Sequence, residues 1–201
     1  MKIGAKYKMC RRLGSGVFEK CQTQKYTQSE AKKTRSTNKR PKQLSEFGKQ
    51  LIEKQKVRFS YGLSERQFSN YVNKAGTVKG MPVTDKLYEL IETRLDNIVY
   101  RLGFASTRRF ARQIVSHGHF VVNGKKTTIP SYEIKVGDLI SVREGSKSSA
   151  IFTDFVKKSK NHTWPTWLKL NAETLSAEMV SKPKNEEQFL QLDTVLEFYS
   201  R

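Results

Sequence analysis

The chain has 201 residues, with 38 Lys or Arg against 19 Asp or Glu, a formal net charge of +19 and 36% hydrophobic residues. That length holds one or two domains with a real core, and so large a charge excess disfavours a compact fold unless a polyanion supplies the counter-charge, for which nucleic acid is the natural candidate. No apolar run is long enough to cross a membrane and the start, MKIGAKYKMC, lacks the apolar centre of a secretory signal, so membrane and secreted classes are excluded and a cytoplasmic protein is expected.

The charge is unevenly placed: residues 1–60 carry 17 Lys or Arg against 4 Asp or Glu, whereas residues 161–201 carry 4 against 6. Residues 1–44 hold few apolar positions, and a stretch such as KYTQSEAKKTRSTNKRPKQ cannot bury enough surface alone to order itself, so it is expected to be a basic arm that orders on its partner. Its two cysteines, Cys10 and Cys21, are too few for a disulfide framework and point to a reducing compartment.

From Leu44 the pattern turns helical. Ser45 suits an N-cap, Phe47, Leu51, Ile52 and Phe59 share one arc, and Gly62 ends the helix. A second start follows at once, with Ser64 and Gln67 as a capping box and Leu63 and Phe68 as a hydrophobic staple; its helix runs through Tyr71, Val72 and Ala75 to about Gly76. A third helix is predicted from Thr84 to Leu102, closed by Gly103. A fourth, short one begins after Ser106 or Thr107 and closes at Gly118. Then come a hairpin turning at Asn123-Gly124, which suits a type I′ turn, and two short strands around Gly137-Asp138. Residues beyond 150 are predicted irregular, then helical again near TWPTWLKL, with an apolar end, FLQLDTVLEFYSR, that packs back on the rest.

The segment TRRFARQIVSHGHFVVNGKK, residues 107–126, carries the chemistry. On a helix beginning at Thr107, Arg108, Arg109, Arg112 and Ser116 share one face while Phe110, Ala111, Ile114 and Val115 share the opposite one, so burying the second presents the first. Arg108 and Arg109 also lie in the first turn, where they oppose the helix dipole. A bound phosphate removes that conflict. No acidic residue occurs from 97 to 132, whereas a merely solvated helix intersperses signs. Phosphate binding is the reading favoured.

Two stretches, LIETRLDNIVYRLGFASTRRFARQIVSHGHFVVNGKK and IPSYEIKVGDLISVRE, resemble the S-four RNA-binding domain. With LSEFGKQLIEKQKVRFSYGLSERQFSNY, PTWLKL and the terminal LEFYSR, in that order, the chain from about Leu44 is similar to the bacterial-type small-subunit ribosomal protein S-four family; CRRLG is a looser match. The resemblance implies an α+β fold: a helical domain of residues 45–91 with 158–201, an inserted α-α-β RNA-binding domain of residues 92–157 whose two helices pack on a short antiparallel or mixed sheet, and the extended basic arm of residues 1–44. It implies binding of a 16S-type small-subunit rRNA junction early in subunit assembly, contacts with ribosomal proteins S-five and S-twelve, and a place along the path by which mRNA enters, with a role in translational accuracy. A bacterial and an organellar ribosome both stay open.

The expected rRNA-binding residues are Arg11, Arg12, Lys54, Lys56, Arg58, Arg66, Arg94, Arg101, Arg108, Arg109, Arg112, His117, His119, Asn123, Lys125 and Lys126. Lys39, Arg40 and Lys42, matching the family's basic stretch before LSEFG, would face incoming mRNA. Several family members hold zinc in the arm with four cysteines; here only Cys10 matches, Cys21 is out of register, and no histidine is near, so no metal and no cofactor are expected. RLD at Arg94–Asp96 is similar to the aspartate motif of pseudouridine synthases, yet it falls within a helix of the binding module, and a surface or ion-paired aspartate is the better reading. Phe104, Phe110 and Phe120 are read as core rather than base-stacking platforms. An RNA-modifying enzyme and a sequence-specific DNA regulator are the alternatives. The regulator would need base-reading residues at the start of the 107–116 helix, where arginines stand.

Overall fold

A computed structural model describes residues 4–36, 43–153, 155, 163–185 and 190–200, and the chain divides into two units: residues 1–87 with 186–201, and residues 88–185.

The first unit begins with α1, Lys6–Leu13, built from good helix formers and stopped at Gly14, whose φ of 102° lies in the region glycine favours. Two 3₁₀ turns follow, Ser15–Val17 and Glu19–Gln22, and then α2, Gln24–Ser36. This segment differs from the expected arm. Cys10, Leu13, Val17, Phe18, Cys21 and Tyr26 are buried together against Phe59, and Cys10 and Cys21 form a disulfide. The segment alone has too little apolar surface to order itself; Phe59, from the next helix, completes its core, and a cross-link lowers the conformational entropy to be lost on folding. The pairing also corrects the reading of two reduced thiols.

Helices α3, Glu46–Ser60, and α4, Glu65–Gly76, start where the caps predict. Ser45 Oγ accepts from Gly48 N–H at 3.2 Å, and Ser64 and Gln67 form the reciprocal capping box. Leu63 and Phe68 are fully buried. The last helix, Leu192–Tyr199 (α10), returns to this unit as expected: Phe198 lies 5.5 Å from Phe47, Tyr199 meets Phe68 edge-on at 5.9 Å, and Gln50 Nε2 donates to Glu197 at 3.1 Å.

The predicted helix from Thr84 to Leu102 is two helices, α5, Val83–Glu92, and α6, Leu95–Arg101. Apolar periodicity continues across the break, which hides it. At the break Arg94 is extended (φ −66°, ψ 137°), and the backbone pairs with residues 130–134 instead: Leu95 N–H donates to Tyr132 O, Asp96 N–H to Pro130 O, and Ile134 N–H to Thr93 O. That pairing is a single bridge, Arg94 with Glu133, so only one of the two strands expected around Gly137 forms.

Helix α6 ends in a Schellman motif at Gly103, with Gly103 N–H donating to Tyr100 O and Phe104 N–H to Val99 O. Helix α7, Arg108–Ser116, is capped by Thr107, whose Oγ1 accepts from Phe110 N–H at 3.1 Å, and ends the same way at Gly118. Strands β1, Phe120–Val122, and β2, Lys125–Lys126, form the predicted hairpin, with Asn123 and Gly124 both at positive φ. After β3, Leu139–Val142, come two one-turn helices, α8, Glu144–Lys147, and α9, Ala150–Thr153.

Residues 163–170 do not turn helical. They lead into β4, Leu168–Asn171, which pairs with β5, Ser176–Met179; β5 in turn pairs with β3. The antiparallel sheet has the order β2-β1-β3-β5-β4, confirming an α+β architecture. Because Ile140 stands opposite Ala177, residues 168–179 belong to this unit, and the expected limits of 92–157 for the inserted domain and 158–201 for the helical one are corrected. Phe120, Val122, Ile140, Val142, Ala177 and Met179 form its core with Leu95, Ile98 and Val99 of α6, its C-cap Leu102, and Ala111, Ile114 and Val115 of α7. Phe104 and Phe120 are core residues as expected, packed with Phe152; Phe110 is only partly buried against this core.

Candidate nucleic-acid interface

The break between α5 and α6 is flanked by two carboxylates, Glu92 at the end of α5 and Asp96 in the first turn of α6. Glu92 is fully buried and Asp96 is 3% exposed. Glu92 accepts from Arg101 Nε at 3.0 Å and Nη2 at 2.7 Å, and from Asn97 Nδ2 at 2.8 Å. Asp96 accepts from Arg94 Nε at 3.0 Å and Nη2 at 2.7 Å, and from Arg112 Nε at 2.8 Å and Nη2 at 2.7 Å. Asn97 Oδ1 accepts from Arg108 Nε at 2.7 Å; the Arg108 guanidinium lies 4.5 Å from the Tyr100 ring centre and 4.0 Å from Glu92. The buried charges are thus paired and hydrogen-bonded, as burial of a carboxylate requires.

This arrangement sorts the expected residues. Arg94 is buried and turned inward, which removes it from the RNA-binding set. Arg101, Arg108 and Arg112 are held by the network yet keep 21%, 17% and 30% of their side chains exposed. Arg109 is exposed beside them. The dipole conflict expected for the first turn of α7 is eased from within for Arg108, by Asn97 and Glu92, and needs no phosphate there. The counter-charges to these arginines stand just upstream of the 97–132 gap in acidic residues and fold across to them. Asp96 itself is ion-paired, as expected.

On the hairpin side, Lys125, Lys126 and His117 are exposed, and the Lys126 stem lies against Gly118 so closely that a Cβ there would collide with it. Asn123 is exposed, but both ends of its amide are used internally: Nδ2 donates to Asp138 at 2.8 Å, and Oδ1 accepts from Leu139 N–H at 2.9 Å. Asn123 thus closes the hairpin. His119 Nδ1 lies 3.0 Å from Ser146 Oγ, and its pKa is held below the ordinary value by burial and then by the nearby His117 and Arg143. Arg143, outside the expected set, is exposed, and its backbone N–H donates to His119 O at 2.8 Å; the β1–β3 register brings the two together, which sequence does not reveal.

In the first unit, Arg12 and Arg66 are exposed, and Arg11, also exposed, donates to Ser29 Oγ at 3.0 Å. Lys54, Lys56 and Arg58 are turned to protein partners instead of forming an open basic face. Lys54 is buried, 2.6 Å from Glu65 and 4.2 Å from the Phe198 ring centre; Lys56 pairs with Glu53, and Arg58 with Glu65 at 3.0 Å. Burial acts to raise the Glu65 pKa, but hydrogen bonds from Lys54 and Tyr199 and the charges of Lys54 and Arg58 hold it below the ordinary carboxylate value. Tyr199 is raised well above the usual phenol range by burial and by Glu65. Lys39, Arg40 and Lys42 lie outside the described residues.

Chemically, the second unit presents several fixed guanidinium groups around two buried carboxylates, with flanking lysines and a histidine. Planar guanidinium forks of this kind match phosphate oxygens. Among the described residues no helix is long and apolar enough to cross a membrane.

Comparison with known proteins places the chain. Residues 1–92 match the family described as ribosomal protein S4/S9 N-terminal domain, and residues 93–140 match the S4 domain. The chain is 45% identical over 203 residues to the small ribosomal subunit protein uS4 of Chloroflexus aurantiacus, covering 99% of this chain and 98% of that protein. It is 43% identical over 203 residues to the protein of the same name from Dehalococcoides mccartyi, covering 98% of each, and 41% identical over 210 residues to that of Thermodesulfovibrio yellowstonii, again covering 98% of each. With both halves of the family architecture present in order and full-length relatives at this identity, the chain belongs to the small ribosomal subunit protein uS4 family.

Proposed function

We propose that the chain is a structural rRNA-binding protein of the small ribosomal subunit, gripping a junction of 16S-type rRNA through phosphate contacts made by the α6–α7 arginine face. The observation that carries this reading is the clustering of Arg101, Arg108 and Arg112 around Glu92 and Asp96, beside exposed Arg109. Folded RNA offers phosphates at many orientations and is recognised mostly by shape and backbone, which suits several rigid guanidinium groups better than a single base-reading helix. The role is binding, without a chemical step. A DNA reader is disfavoured because Arg108, at the start of α7, is tied to Asn97, and the hairpin follows directly.

The finer reading follows the family resemblance. The protein acts early in assembly of the subunit body in a bacterial-type cytoplasm, next to ribosomal proteins S-five and S-twelve, and Lys39, Arg40 and Lys42 face incoming mRNA, with a bearing on translational accuracy. The basic excess of residues 1–60 supports that placement.

The test is salt dependence of binding to an rRNA junction fragment. If about eight phosphates are neutralised, log K falls against log salt with a slope of about −6 to −7. A slope shallower than about −2 would reject binding through the phosphate backbone.

A further inference from the structure

The arginines around Glu92 and Asp96 share one mode of attachment. In Arg101 and Arg112 the same edge of the guanidinium, Nε with Nη2, is turned onto a carboxylate, and in Arg108 Nε is turned onto Asn97 Oδ1. A guanidinium is planar with its donors in a fixed fork, so gripping one edge fixes the plane and directs the Nη1 end away from the acceptor. All three side chains are part-exposed while the groups that grip them are buried. Arg94, bound to Asp96 by the same edge but almost wholly buried, completes the anchor from beneath.

We infer that Glu92 and Asp96 are positioning residues for RNA binding: they orient Arg101, Arg108 and Arg112 before the RNA arrives, so that the guanidinium groups meet phosphate oxygens already aimed. This rests on the rRNA-binding reading above and adds to it which residues set the geometry. The physical gain is entropic. A free arginine loses much rotamer freedom when it is immobilised on a phosphate, whereas these side chains lose it on folding. The arrangement places negative charge close to where a polyanion binds. It therefore makes sense only if orientation outweighs the Coulomb repulsion, and that conflict sets the test.

Replacing Glu92 by Gln or Asp96 by Asn raises the net charge by one. Charge alone then predicts tighter binding of a full-length small-subunit rRNA transcript. Positioning predicts the opposite: Glu92→Gln and Asp96→Asn each weaken binding about tenfold, with thermal unfolding confirming that the variants are folded at the assay temperature. A cycle separates positioning from damage to the fold. Arg101→Gln with Arg108→Gln removes the groups that Glu92 orients, so adding Glu92→Gln to that background costs no further affinity.

A third measurement needs no substitution. In the free wild-type chain, the Nε–H protons of Arg101, Arg108 and Arg112 exchange slowly with solvent, and that of Arg109 exchanges fast. Three results would each overturn the assignment while leaving rRNA binding intact: variants that bind equally or more tightly, a Glu92→Gln loss that persists undiminished in the double-arginine background, or Nε–H exchange as fast at the three arginines as at Arg109. Failure of the wild type itself to bind the transcript would instead reject the underlying reading.

Discussion

Arg94 and Arg109 carry the same charge in the same unit and serve opposite ends. Arg94 is buried on Asp96, so Arg94→Ala removes one of the two guanidinium partners of a buried carboxylate and is expected to destabilise the protein by about 1–3 kcal/mol in chemical unfolding. Arg109 is exposed, so Arg109→Ala should leave stability within about 0.5 kcal/mol while weakening rRNA binding by about 1–3 kcal/mol. A neutral Arg94→Ala would show that the network is not structural. Alanine at Arg108, Arg109 and Arg112 together does not spare the fold, because Arg108 and Arg112 partner the buried Asn97 and Asp96. In the first unit, Glu65 makes stability depend on acid. Its folded pKa lies below the unfolded value of about 4.3, so its contribution is fully present above that value and is lost as pH falls through the folded pKa. The difference in melting temperature between wild type and Glu65→Gln should be constant above about pH 6 and shrink from about pH 5 downward. A difference that grows on acidification would contradict the hydrogen bonds from Lys54 and Tyr199.

Helix ends join the elements of the RNA-binding unit. Gly118 terminates α7 at φ 75° and lets the Lys126 stem of β2 cross directly over it. Gly124, in the hairpin turn, has a similar φ of 77° but open space around its Cα. Alanine at either position meets the left-handed backbone penalty of about 1–2 kcal/mol. Only Gly118→Ala also displaces Lys126. Thermal unfolding should therefore show comparable losses for the two variants, and rRNA affinity should fall for Gly118→Ala alone. Equal affinity losses would mean that the turn, and not the placement of Lys126, is what matters. The caps at Ser45 and Ser64 are legible in the sequence, and that of α7 is narrowed to Ser106 or Thr107, because a cap is a contact among residues three apart and local sequence contains all of it.

At the scale of the whole molecule, the sheet decides where the RNA-binding unit ends. A fragment of residues 88–185 contains every strand of the described residues and should unfold cooperatively on its own. Residues 92–157 lack β4 and β5, and with them Leu168, Leu175, Ala177 and Met179 of the core; that fragment should show no cooperative transition by calorimetry. A cooperative 92–157 fragment would return β4 and β5 to a peripheral role. The N-terminal segment makes the same point from the other side: its small core closes on Phe59, a residue distant in sequence.

By itself, the sequence determined the α+β class, the family, the amphipathic arginine helix, the capped helices α3, α4 and α7 and the type I′ hairpin, because each rests on periodicity, local hydrogen bonds or a shared order of motifs. It also contains the basic excess, and with it the expectation of a polyanionic partner. Tertiary structure alone decided the break at Thr93–Arg94, where backbone pairing with residues 130–134 overrides a continuous apolar rhythm. Tertiary structure likewise decided that residues 163–170 feed a strand, since β5 provides the edge on which β4 forms, and that Cys10 meets Cys21. Among sixteen expected rRNA contacts, it turned Arg94, Lys54, Lys56, Arg58 and Asn123 to protein partners. A basic side chain reads the same in sequence whether it faces a phosphate or a carboxylate; which of the two it meets depends on which acidic groups the fold carries to it.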